Sequence, residues 1–438
     1  MYRDASLALN TQAVPLEAAL AQWAAGVTYG SRVGATEQGY LSLNYTAEDG
    51  GGVDESFRAM WPQYLDVLSE PLRRMQKRPD IDDHQHGTAF GKGISYGLVE
   101  ASVQLDPDVI SRIAKTKGGP TDASFLLQHG LLSALGDGKP RKVIARFSHS
   151  PVLQQHLSRM ALKIEVDSNR HMDLVMAEVT PNMPIEDRDV MKADFAFRLA
   201  HFSKLRAAYY GAFGAGGGLK FPRNVLRLYR NSQEYKKRDN EATKLYSVLG
   251  DNFYVQVPYQ AGLSPFKAVA ASAMKIRFVP EVRPPSPPGI FSCKGNSTDF
   301  PGLSDLDWWC VPKLMMKQFL EDVAKGPTKF HLEVQVASDP VEHPLNNAYS
   351  MWEGAPWVRV GMLSIPQQEF FQTDGTEHDH VSTRWKHVSG FYGKDVFYSP
   401  WNEIVKPVSD IMAFRAWMYP RYDRLRVALF QGRGRVEI

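Results

Sequence analysis

Residues 407–430, Pro-Val-Ser-Asp-Ile-Met-Ala-Phe-Arg-Ala-Trp-Met-Tyr-Pro-Arg-Tyr-Asp-Arg-Leu-Arg-Val-Ala-Leu-Phe, decide how the rest of the chain is read. Ser409 is placed to cap a helix and Asp410 to complement its dipole. Arg415, Tyr419, Tyr422 and Arg426 then recur at steps of four, three and four residues, which sets two cations and two phenols along one helical face. A phenol is a good ferric ligand only as phenolate, and a free tyrosine titrates near ~10. A guanidinium one turn away is the simplest device for lowering that value, and Arg415 stands one turn before Tyr419. On an arbitrary amphipathic helix the same spacing is a surface pair, so the reading depends on what precedes it.

Upstream, Asp82-Asp-His84-Gln-His86-Gly-Thr-Ala-Phe-Gly-Lys92-Gly93 leads into an alternating run from Leu98 to Leu105, a loop feeding a strand. Lys142-Val-Ile-Ala-Arg146-Phe147-Ser148, Arg159-Met-Ala-Leu-Lys-Ile164 and Ala273-Met-Lys-Ile-Arg-Phe-Val-Pro280 read as further strands, as does Tyr246–Tyr259. His331-Leu-Glu-Val-Gln-Val-Ala-Ser-Asp-Pro340 alternates as an amphipathic strand, and Trp352-Glu and Trp357-Val-Arg-Val-Gly-Met-Leu-Ser-Ile-Pro-Gln-Gln-Glu-Phe370 follow it.

Taken in order, these segments resemble the catalases and the smaller catalase-related haem proteins. Arg-x-x-x-Tyr-Pro with an arginine seven residues after the tyrosine resembles the proximal helix of that family, where tyrosine is the axial iron ligand. The resemblance implies that Tyr419 binds haem iron, that Arg415 keeps it phenolate, and that Arg426 meets a propionate. Arg146-Phe147-Ser148 resembles the family's Arg-Phe-Ser, so Arg146 is expected at a propionate and Ser148 beside a distal histidine, with Arg159 as a further propionate partner. Two registers are open for that histidine. Either His84-Gln-His86-Gly87 supplies it, or Lys92-Gly93 sets the alignment and Ala89 or Phe90 takes its place; solvated loop histidines are the alternative to both. Val179 stands where a typical catalase has an asparagine, which favours oxidation of an organic molecule over peroxide disproportionation.

The expected fold is therefore α+β, a catalase-like antiparallel β-barrel of about eight strands with surrounding helices. Residues 1–50, with a helical pattern from Leu16, form an arm; 51–438 form one haem-binding domain with an irregular surface insertion at 281–312. The expected cofactor is haem b and the expected activity a haem-dependent peroxidase or catalase-related oxidoreductase. Its substrates would be hydrogen peroxide or an organic hydroperoxide together with a small organic or lipid molecule. True catalase activity, or haem binding without catalysis, are the alternatives within the same fold.

Composition narrows the rest. Hydrophobic residues at 43% suffice for a large core, and a formal charge of +3 spread over 438 residues builds neither a nucleic-acid groove nor a membrane-binding patch. Cys293 and Cys310 could form a disulfide, but two cysteines in so long a chain favour free thiols of a reducing compartment. No apolar run approaches spanning length and no leader pattern opens the chain, so the expected location is cytoplasmic. Glu377-His-Asp-His380 has no third ligand at a metal-site spacing and reads as loop. Gly211–Lys220 lacks the Gly-Lys-Ser/Thr ending of a phosphate loop and reads as a connection.

Overall fold

In the computed structural model the described residues are 12–24, 95–119, 122–149, 158–178, 247–255, 257–262, 272–283, 318–339, 341–345 and 347–368. Single positions at 190, 224, 226, 227, 230, 231, 404, 417 and 421 complete them. Among them are nine strands: β1 (Ser95–Leu105), β2 (Arg141–His149), β3 (Ser158–Glu165), β4 (His171–Glu178), β5 (Phe253–Tyr254), β6 (Tyr259–Ala261), β7 (Ser272–Pro280), β8 (Thr328–Val336) and β9 (Val358–Ile365).

All strand pairings are antiparallel. Consecutive pairs run from β1 to β5, β7 pairs with β8, β8 with β9, and β9 returns to β1. β5 also pairs with β7, through Phe253↔Phe278 and Tyr254↔Arg277. Eight strands therefore go round in a ring, closed all but completely, with two-residue β5 as the seam and β6 hooked onto β7. Ring closure leaves few unpaired strand edges, which is how an antiparallel sheet avoids pairing with other chains.

Period-two alternation decides which side chains fill the ring. Phe330, Leu332, Val334 and Val336 of β8 join Val143, Ala145 and Phe147 of β2 and Met160, Leu162 and Ile164 of β3 in one buried cluster. Phe147 meets Phe253 edge-on at 5.7 Å between ring centres and Phe319 at 4.9 Å. At 361 only glycine fits, because a Cβ there would meet the Leu105 Cα at 2.9 Å where β9 crosses β1.

Three helices accompany the first strands. Within the arm expected over 1–50, α1 (Leu16–Ala24) is amphipathic and buries Leu16, Ala19 and Trp23 in the barrel's own core cluster. Val14 N–H donates to the Trp357 carbonyl at 2.8 Å, stitching this segment to the start of β9. α2 (Pro107–Lys115) begins where Asp106 accepts a hydrogen bond from the Asp108 amide and Pro107 presets the first turn; Val109 and Ile113 face inward. α3 (Leu131–Ala134) leads to β2. Residues 318–325 are helical and bring Phe319 over Gly97. Among the described residues no helix is long and apolar enough to cross a membrane.

The stretch 246–259 differs from the expected barrel strands. It holds a 3-10 turn at Val248–Gly250, the short β5, and then β6 from Tyr259. Pro258 has no amide to donate to a ladder, which separates the two short strands.

Candidate functional site

The outer wall of β1–β4 carries the sequence-derived residues that the structure describes. On β2 the core takes Val143, Ala145 and Phe147, so Ile144, Arg146 and Ser148 face the other way. That face is not solvated. Arg146 is 4% exposed and Ser148 2%, so both are covered by further chain.

Register places their neighbours. Ser148 pairs with Arg159 of β3, which pairs with Ala177 of β4. One row along, Leu98 of β1, Arg146, Ala161 and Val175 lie side by side. A third row runs Glu100, Ile144, Lys163, Asp173. Directly paired side chains stand ~4.5–5.5 Å apart at Cβ and diagonal ones ~7–8 Å, so Arg146, Ser148 and Arg159 form one compact group. β1 begins at Ser95, opposite Ser148.

The wall has three zones. At its mouth are two guanidiniums and a hydroxyl, a donor set suited to carboxylates because a guanidinium fork matches two oxygens. In the middle Ala161 and Val175 form a small apolar cluster apart from the main core. Beyond them Lys163 Nζ donates to both Asp173 oxygens at 3.1 Å, with both side chains 2% exposed. Breaking such a buried pair from one side is expected to be costly: Asp173→Ala leaves an ammonium in a dry wall and should destabilise the fold by ~3–5 kcal/mol, read as a lower urea midpoint, whereas Lys163→Met with Asp173→Leu should be near neutral.

Of the residues proposed from sequence, Arg146, Ser148 and Arg159 are thus brought together. His84, His86, Arg415, Tyr419 and Arg426 lie outside the described residues, as do Cys293, Cys310, Val179 and the Glu377–His380 run. Two neighbours of Tyr419 in sequence are described. Trp417 is helical, buried and part of the barrel's core cluster. Arg421 is also helical, donates from Nη1 to the Trp417 carbonyl at 2.9 Å, and lays its guanidinium 4.3 Å from the centre of that indole. Among the described residues no three His, Cys, Asp or Glu side chains gather as a metal-holding group.

No protein-family model matches this chain, and a search of curated proteins found no match. The functional reading therefore rests on the residues themselves.

Sequence reasoning missed a second buried polar cluster, on the opposite wall. Lys275 and Arg277 of β7 and Glu333 and Gln335 of β8 face outward and are all buried. Arg277 pairs with Glu333 at 2.6 Å and lies over the Trp357 ring at 4.5 Å. Among the described residues Lys275 has no such carboxylate. The available signal was a lysine between Met274 and Ile276, with Arg277 two residues on and so on the same face of the strand.

Proposed function

We propose that the chain is a haem b-dependent oxidoreductase that uses hydrogen peroxide or an organic hydroperoxide to oxidise or rearrange a small organic or lipid substrate. The observation that carries this reading is the register that sets buried Arg146 beside Arg159 and Ser148, next to the small side chains of Ala161 and Val175. Such a wall fits a flat ligand bearing carboxylates: small side chains offer little relief under a planar face, and two guanidiniums neutralise the acids at its rim.

Haem b, when bound, would supply a ferric centre able to cleave a peroxide bond. The chain's own residues have separate tasks. Tyr419 would hold the iron through its phenolate oxygen, and Arg415 would keep that oxygen deprotonated. Arg146, Arg159 and Arg426 would bind the propionates. His84 or His86 would accept a proton from one peroxide oxygen and return it to the other, with the Ser148 hydroxyl orienting the ring. Oxidation of an organic molecule is preferred to disproportionation because Val179 cannot offer the amide of asparagine to a second peroxide.

Arg146→Leu is expected to weaken haem retention by ~10–100-fold, since a hydrogen bond to a charged group contributes ~1.5–3 kcal/mol. The measurement is the rate of haem transfer to an apo-globin acceptor; an unchanged rate removes Arg146 from the site. The activity itself is tested by incubating haem-loaded protein with hydrogen peroxide or fatty-acid hydroperoxides and following products by mass spectrometry. Peroxide-dependent product supports the reading, and its absence with every peroxide refutes it.

A further inference from the structure

The connection from β8 to β9 lies as a strap over the buried outer wall of β7 and β8, and its fastenings are unusual in their chemistry. Lys275 Nζ donates to the Ser350 carbonyl at 2.6 Å and lies 4.8 Å from the centre of the Trp352 ring. Gln335 Nε2 donates to the carbonyls of Trp352 and Ala355 at 3.1 and 2.8 Å. Trp352 holds φ at 56°, a left-handed conformation that bulky residues rarely adopt, and its indole N–H donates to the Pro344 carbonyl at 3.2 Å. From outside, Gln22 of α1 donates to the Gly354 carbonyl at 3.0 Å.

His343 fixes the root of the strap. Its Nδ1 accepts from two backbone amides, Ser338 at 3.1 Å and Asp339 at 3.2 Å, and its ring stands 5.8 Å from that of Trp352. A lone pair engaged by two amides cannot also carry a proton. A proton arriving at Nδ1 must break both bonds and turn two N–H groups against a cation in a buried site.

We propose that the strap is an acid-released cover, held shut over β7 and β8 while His343 accepts the Ser338 and Asp339 amides and Lys275 is clasped beneath Ser350 and Trp352. Two bases are buried beside the one indole of Trp352. Among the described residues no carboxylate pairs with Lys275; the neighbouring Arg277 and Glu333 neutralise each other.

The titration of both groups runs in the same direction. Burial lowers the Lys275 amine from 10.5 to about 7. Burial also lowers His343 below 6.5, and the Lys275 charge adds to this, while the Glu353 carbonyl and the Asp339 and Glu342 carboxylates oppose it. A base whose pKa is lower when enclosed binds fewer protons closed than open, so opening gains as pH falls. For Lys275 that window runs from 10.5 down to about 7, and for His343 from 6.5 downward.

Hydrogen exchange of the full chain, corrected for intrinsic amide chemistry, tests this over pH 8.5 to 5.5. Peptides covering 338–357 should exchange faster by up to about tenfold per pH unit between 8.5 and 7, and faster again below 6.5, while β2–β3 peptides stay protected. Lys275→Met should remove the upper rise and His343→Asn the lower. The proposal is overturned if strap exchange is flat with pH in the parent chain, if both variants keep its pH dependence, or if β2–β3 opens together with the strap.

Discussion

Tyr419→Phe is expected to remove both the iron-bound spectrum and peroxide-dependent turnover. A phenyl ring fills the same space but offers no oxygen to a ferric ion, so the change isolates ligation from packing. Haem added to the variant should lose the phenolate-to-iron charge-transfer absorption and transfer readily to an acceptor, while far-ultraviolet circular dichroism stays that of the parent. The neighbouring structure supports the choice of variant. Trp417, two residues before Tyr419, is buried in the barrel core, and Arg421 lays its guanidinium on the Trp417 indole. A milder form of the same prediction concerns Arg415: its loss should raise the phenol's pKa and make the ferric spectrum pH-dependent near neutrality.

The second large effect is expected from the histidines of the loop before β1. Either His84→Ala or His86→Ala, but not both, should lower peroxide turnover by ~10²–10⁴, the usual contribution of a positioned acid–base group. Haem binding should persist in both variants, because neither residue is assigned to the iron or the propionates. Ser148, expected beside the distal histidine, pairs with Ser95 of β1 on one side and Arg159 of β3 on the other. If neither change matters, the register set by Lys92-Gly93 applies and the proton must move through another group.

Much of the barrel was legible because its strands alternate. β8 reads inward as Phe330, Leu332, Val334 and Val336, and Arg146 and Ser148 fall on one face simply because they are two residues apart. The closure of the ring was less legible, since it depends on a two-residue strand between Asn252 and Val255 that no periodicity can announce. α2 had a local signal, Asp106-Pro107 ahead of Val109 and Ile113, that capping chemistry explains.

What the sequence conceals is the burial of the outer wall. Lys163, Lys275, Arg277 and Glu333 are charged residues on strands, yet all four are enclosed. On the β7–β8 side the cover includes Ser350, Trp352 and Ala355 of the connection to β9. Charge on a strand predicts exposure only when nothing distant folds over it. α1, within the extension expected to lie over the main body, buries Trp23 fully in the common core.

The most direct test is titration of the purified chain with ferric protoporphyrin IX. The account predicts saturation at one equivalent, with a Soret band and the high-spin ferric spectrum of a phenolate ligand. Failure of the folded chain to bind the porphyrin, or binding that Tyr419→Phe leaves unchanged, would contradict it.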